Sequence, residues 1–256
     1  MEGDFGEGFA GLWTQHVPLL IFLESTGVYN SLNLGQHWQR SSNTTSLFLC
    51  PTICLCPSDS PPATLDGFFS YHASAGSGRW HLGFDAPCDG IAVADGLFVG
   101  YSPTRPADCT DGLSHTSAFS EQVHGGTLKL SGPASWKHPS LGLIYLLDPS
   151  PPTQAELMST CDHSDSLASV ALNITMAGSH WFSGYTYTHL FLPGKPSCYG
   201  ATQGTWYSPM NASSRHLGGV NLLHADGSVR FITNDVDLEA WRALGSRNGQ
   251  DFADAF

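Results

Sequence analysis

A histidine, nine residues and then Asp-Gly stand in the stretch SSRHLGGVNLLHADGSVRFITNDVDLEAWRALG, with His216 and Asp226-Gly227 at the two ends of the spacing. A histidine and a carboxylate make a catalytic pair only when they reach hydrogen-bond distance. Asp-Gly suits the two central residues of a type I′ hairpin, which both need φ > 0. Such a turn pairs His224 with Val229, Leu222 with Phe231 and Val220 with Thr233, and it gathers a mostly apolar set on one face. His216 is then ten strand steps from Asp226, about 33 Å at about 3.3 Å per residue. The spacing therefore predicts a structural motif. In the same register His216 lies near Asp237, the expected N-cap of a short helix carrying Leu238, Trp241 and Leu244 and closed by Gly245. A hydrogen bond from His216 at that strand-to-helix corner is the expected role.

Other residues with chemistry in them give weaker patterns. Cys50, Cys54 and Cys56 form a C-x3-C-x-C cluster that suits zinc in part, but the second pair of ligands at structural spacing is missing. With seven cysteines in the chain, disulfides are the expectation: Cys161 with Cys198, Cys88 with Cys109, and Cys50 and Cys56 as the remaining candidates. The connectivity is open, and one thiol stays unpaired or bonds outside the chain. Asn43, Asn173 and Asn211 head Asn-x-Ser/Thr sequons and are candidate glycosylation sites. Twelve histidines include no His-Glu-x-x-His, and neither a nucleophile elbow nor a Walker loop or dinucleotide fingerprint occurs. No catalytic residue, metal ligand or cofactor is assigned.

The composition narrows the setting. Charged residues are 12% of 256, and 22 acidic against ten basic side chains give a net charge of −12. With no basic run, nucleic acid and anionic membrane surfaces are poor partners. A surface of uncharged polar groups suits glycan cover or broad protein contacts, and with the cysteines it points to an extracellular or cell-surface location. The longest apolar run, Val17 to Leu23, is too short to span a bilayer. The first eleven residues resemble no signal peptide, so an exported chain is expected to begin after a leader.

The elements that position these residues are short. The helical stretch Leu12 to Glu24 is interrupted by Pro18. Five Asp-Gly pairs punctuate apolar segments and suggest antiparallel sheet. Residues 147–156, LDPSPPTQAE, are the candidate internal linker.

Several blocks together resemble a prepilin-like bacterial family of unknown function with a C-terminal His-x(9)-Asp-Gly signature. FLESTGVYNSLN (Phe22 to Asn33) matches its Leu-Glu-x-x-x-x-Tyr-Asn segment, and LCPSD (Leu55 to Asp59) its Cys-Pro-Ser-Asp turn. ADCTDGLSHTSAFSEQVHG (Ala107 to Gly125) matches the Asp-x-Thr-Asp-Gly-x-Ser block, and LPGKPSC (Leu192 to Cys198) the Pro-rich Cys segment. The chain departs from the family in lacking its N-terminal apolar helix, in Ile21-Phe22 before the Leu-Glu, and in a doubled Cys-Pro turn.

The resemblance implies a pilin-like, surface-exposed, non-enzymatic protein. The expectation is one α+β domain over residues 1–256, rich in antiparallel sheet, with short helices near each end. Residues 1–11 would be an ordered segment available as an inter-subunit strand, and 12–256 the globular body. The expected function is a structural subunit of an extracellular, glycosylated filament, partnered by itself and by glycans and polymerising head to tail by strand addition. The alternative is a secreted monomeric carbohydrate-binding protein using Trp80, Trp181 or Trp206, and third comes a glycan hydrolase.

Overall fold

The computed structural model describes residues 13–37, 40–47, 49, 51–59, 69–77, 94–99, 103–123, 144–147, 159, 186–195, 197–202, 205–207 and 210–249. Three short helices open it: α1 (His16–Leu19), α2 (Thr26–Ser31) and α3 (Thr44–Leu47). The strands are β1 (Tyr71–Ser74), β2 (Ser117–Glu121), β3 (Ile144–Leu147), β4 (Thr186–Tyr187), β5 (Ser197–Thr202), β6 (Thr205–Tyr207), β7 (Gly219–His224) and β8 (Val229–Thr233), followed by helix α4 (Leu238–Gly245). The protein is α+β. A mixed five-stranded sheet runs β4-β1-β2-β7-β8, antiparallel except where β1 meets β4, and a smaller sheet runs β3-β5-β6. Of the linker segment, Leu147 ends β3 and residues 148–156 lie outside the described residues, as do residues 1–11.

The N-terminal helical stretch is shorter than its sequence suggests. Pro18 is tolerated because α1 is a single turn, where its missing N–H is not called upon. The chain then leaves the helix through Glu24, at φ 55°.

At the hairpin the structure corrects the expected register by one residue. Val220 pairs with Ile232, Asn221 with Phe231 and Leu222 with Arg230. The cause is the turn, since only Gly227 takes a positive φ, +88°, and Asp226 does not. Gly227 N donates to His224 O at 3.0 Å and His224 N to Ser228 O at 2.8 Å, closing a three-residue loop of a type I turn followed by a left-handed glycine. Asp226 Oδ1 accepts from Ser228 N and Oγ at 2.8 and 2.7 Å, which holds its exposed carboxyl below the usual range. The one-residue shift matters because it decides which face each side chain joins. Val220, Leu222 and Ile232 turn inward, whereas Val229 and Phe231 are 62% and 49% exposed.

Each face of the large sheet has its own core. On one, Tyr187, Met210, Ala212, Val220, Leu222 and Ile232 pack with Trp241 and Leu244 of α4. Asp237 caps that helix as expected, its Oδ1 accepting from Glu239 N and Ala240 N at 3.0 Å each. Gly245 does not terminate it by a left-handed turn. It is the last helical residue, and a Cβ there would lie 2.7 Å from the ring of His189. The second core joins Val17, Leu20, Leu32, Cys54 and Phe69, with the ring of His16 against Phe69 and Phe119.

Two buried histidines anchor these cores in their neutral form. His189 Nδ1 is 2.7 Å from Trp241 O and Nε2 is 3.0 Å from Tyr187 Oη, whose hydroxyl also bonds Ser117 Oγ. Burial lowers the His189 pKa to about 3, partly offset by the Trp241 carbonyl. Burial likewise lowers His16 to about 4, against its 2.7 Å bond to Tyr71 O.

Two outcomes are expected. Gly245→Ala, which in an open helix gains about 1 kcal/mol, drives a methyl into His189 here and costs about 1–3 kcal/mol of stability; a raised melting temperature contradicts the packing. Because the unfolded chain protonates His16 and His189 near pH 6.5 but the folded one only near 4 and 3, the unfolded state holds more protons in between. Stability then falls with acidification by about 1.4 kcal/mol per pH unit from each histidine. Urea titrations between pH 6.5 and 4.5 check this, and a flat profile rules it out.

Candidate functional site

A charged side chain inside a half-apolar sheet needs partners, and Glu121 is such a side chain. It ends β2 and is 3% exposed. Its Oε2 accepts from the backbone N of Asn221 at 2.8 Å, taking the part of a strand carbonyl where the β2–β7 ladder stops. Its Oε1 accepts from Asn221 Nδ2 at 3.2 Å, from His216 Nε2 at 3.0 Å and, at 3.7 Å, from the thiol of Cys56. Cys56 Sγ and His216 Nε2 are themselves 3.5 Å apart. One buried carboxylate thus gathers a thiol and an imidazole from segments 65 and 95 residues away.

Local structure fixes each contributor. The one-turn helix Thr52–Cys54 is followed by extended Leu55, which carries Cys56 onto the sheet. His216 sits in the bend before β7, where Ser214 Oγ accepts from His216 N at 2.9 Å and donates to Gly219 O at 2.8 Å. Beside it, Arg215 Nε pairs with Asp59 Oδ1 at 3.3 Å, so the Cys-Pro-Ser-Asp turn is clasped at both ends by the Arg215-His216 dipeptide. The phenol of Tyr71 hydrogen-bonds Cys56; burial, then the neighbouring Cys56 and Glu121, raise its pKa above the ordinary value and keep it a neutral donor.

The order of contacts limits the chemistry. A nucleophile–base–orienter relay places the nucleophile on one imidazole nitrogen and the carboxylate on the other. Here Cys56 and Glu121 share the same nitrogen, Nε2. The three donor atoms instead converge, all lying within 4.8 Å of one another.

Against the expectations, His216 does not bond Asp237. Asp237 spends its carboxylate on the α4 cap, and the imidazole turns to Glu121 and Cys56. His216 and Asp226 form no pair either, since the Asp226 carboxylate is engaged by Ser228.

The glycosylation expectation fails at two of its positions, because the side chains are sequestered. Asn43 is fully buried, its Oδ1 accepting from Asn33 N at 2.7 Å and its Nδ2 donating to Asn33 O at 3.2 Å. Asn211 is fully buried with Nδ2 donating to Lys195 O at 3.3 Å. Asn173 lies outside the described residues.

The cysteine pairing is corrected as well. Cys56 and Cys109 are buried thiols, as is Cys54, so neither the Cys88–Cys109 bridge nor one through Cys56 is present. Cys109 Sγ instead points at Arg105 O, 4.0 Å away, and burial raises its pKa. Cys198 is disulfide-bonded. Cys50, Cys88 and Cys161 lie outside the described residues, with Trp80, Trp181 and the side chain of Trp206.

The protein-family model described as "Protein of unknown function (DUF1559)" matches residues 2–239. The chain belongs to that bacterial family. No curated protein and no solved structure matches it. In this DUF1559 chain the residues that sequence reasoning missed are Glu121, Asn221 and Tyr71. The available signal was Glu121 itself, a carboxylate at the end of the short strand SAFSE in a chain with few charges.

Replacing Glu121 tests how much hangs on it. Glu121→Ala leaves the half-buried Asn221 and His216 without their acceptor and should cost about 3 kcal/mol. Glu121→Gln, which still accepts from Asn221 N, should cost about half as much. Equal urea midpoints for wild type and both variants would show that the carboxylate holds nothing.

Proposed function

We propose that this protein is a structural subunit of an extracellular or cell-surface assembly, associating with further copies of itself by strand addition. The observation that carries this reading is strand β8. Among the described residues it pairs only with β7, at one edge of the large sheet. Its Val229 and Phe231 stand exposed on the face opposite α4, and the ring of Phe231 rests on Gly219, two residues from the fully exposed Leu217. Val229, Phe231, Ile232 and Thr233 make a largely apolar, β-branched edge strand whose single charge is Arg230, and such an edge is a template for another strand. A second copy supplies one through head-to-tail contact, which gives an open polymer when the rotation does not close.

The low charge content and the resemblance to prepilin-like proteins agree with a surface-borne, non-enzymatic role. The disulfide at Cys198 favours an oxidising setting. Glycan cover at Asn43 and Asn211 forms no part of the reading, since both amides are buried.

Light scattering and negative-stain microscopy of the purified chain, with Val229→Lys and Phe231→Lys beside it, decide the matter. The wild type should associate with rising concentration, and the lysine variants should stay monomeric with an unchanged melting temperature. A wild type that remains a monodisperse monomer at high concentration ends the proposal.

A further inference from the structure

We propose that Cys56, Glu121 and His216 are three ligands of a binding site for a single zinc-type divalent metal ion. The distances carry the argument. Cys56 Sγ to His216 Nε2 is 3.5 Å, Cys56 Sγ to Glu121 Oε1 is 3.7 Å, and His216 Nε2 to Glu121 Oε1 is 3.0 Å. A tetrahedral ion with bonds of about 2.3 Å to sulfur, about 2.0–2.1 Å to nitrogen and about 2.0–2.2 Å to oxygen sets its ligand atoms about 3.6, 3.6 and 3.4 Å apart along the same edges. Two edges agree to about a tenth of an ångström. The third opens by about 0.4 Å, within the reach of a small rotation of the His216 ring. The three atoms are one face of a coordination tetrahedron drawn without its centre.

The donor types choose the metal. Magnesium and calcium take oxygen ligands, whereas thiolate with imidazole and carboxylate suits zinc. On binding, the Cys56 thiol gives its proton to solvent and the sulfur lone pair forms the metal bond. His216 binds through Nε2 with its proton on Nδ1, and no electron changes hands. The supporting contacts that a metal site needs are in place. Asn221 holds both oxygens of Glu121, Ser214 fixes the backbone of His216, and the Tyr71 phenol stands on Cys56 as a donor to its thiolate. The His216 side chain is 33% exposed, which leaves an entry path and a fourth position for water. The ion would fasten the Cys-Pro-Ser-Asp turn to the end of β2 and the start of β7, whether or not the chain polymerises.

Cobalt(II) reports the site directly, through visible d–d bands and a near-ultraviolet thiolate-to-cobalt charge-transfer band. Titrated into the chelator-treated full chain, it should give both to an end point of one cobalt per chain, and zinc should displace them. Magnesium should not. Cys56→Ser should abolish the charge-transfer band, Cys109→Ser should keep it, and Asn221→Ala should weaken affinity by about tenfold. Should Cys56→Ser fail to fold, the wild type alone decides: zinc must raise its melting temperature relative to chelator. A folded wild type that shows neither the cobalt band nor a zinc-dependent shift, or a band that persists undiminished in folded Cys56→Ser, overturns the assignment.

Discussion

Burying the Glu121 carboxylate is the constraint around which the rest of the sheet is arranged. A carboxylate at 3% exposure has lost its water, and it is stable only where donors replace that water on both oxygens. The replacements come from Asn221 on the neighbouring strand, from His216 in the bend before that strand, and from Cys56 beyond the N-terminal layer. None can reach Glu121 until β2 and β7 are side by side and the Cys-Pro-Ser-Asp turn has docked. The carboxylate therefore rewards one tertiary arrangement and penalises its neighbours. A slip of one residue between β2 and β7 would turn the carboxylate to the α4 face, away from Asn221, His216 and Cys56 and into the apolar cluster of Val220, Leu222 and Leu244.

The two sides of the sheet are unequally covered, and the inequality follows from the elements available. Helix α4 lays Ala240, Trp241 and Leu244 on one face and completes a core there with the inward residues of β7 and β8. Among the described residues the other face receives short helices and loops, His16 packing against Phe69 and Phe119 and Phe98 against Phe119. Val229 and Phe231 remain uncovered. The exposed apolar side chains of β8 therefore stand on the side of the sheet that α4 does not cover.

What could be read from the sequence was what local chemistry decides. The β7–β8 hairpin, the glycine at its turn and the Asp237 cap each depend on residues within a few positions of one another, and each is present. The register was missed because Asp-Gly serves two turns equally well. Only the backbone angle at Asp226 distinguishes a two-residue loop from a three-residue one. The Glu121 cluster was not legible, since its members are 65, 95 and 160 residues apart and no periodicity links them. The sequons misled for a related reason. A sequon specifies which enzyme could recognise an asparagine, whereas the fold uses Asn43 and Asn211 to satisfy backbone groups in the interior.

The doubled Cys-Pro turn shows how one short segment serves two environments. Cys54 and Cys56 flank Leu55, whose φ of −107° and ψ of 131° are those of a strand residue. Side chains two apart on an extended chain lie on a common side only when the whole segment is extended. Here Cys54 closes a helical turn, and the two side chains meet different neighbours. Cys54 packs with Val17, Leu20, Leu32 and Phe69, and Cys56 enters the polar cluster at Glu121. A disulfide between them would require their Cβ atoms to face each other at about 3.8 Å, which would pull one sulfur out of its environment. Both remain thiols in a chain that also holds a disulfide-bonded Cys198. Cys56, bonded to no other cysteine, is left with its sulfur facing a carboxylate and an imidazole.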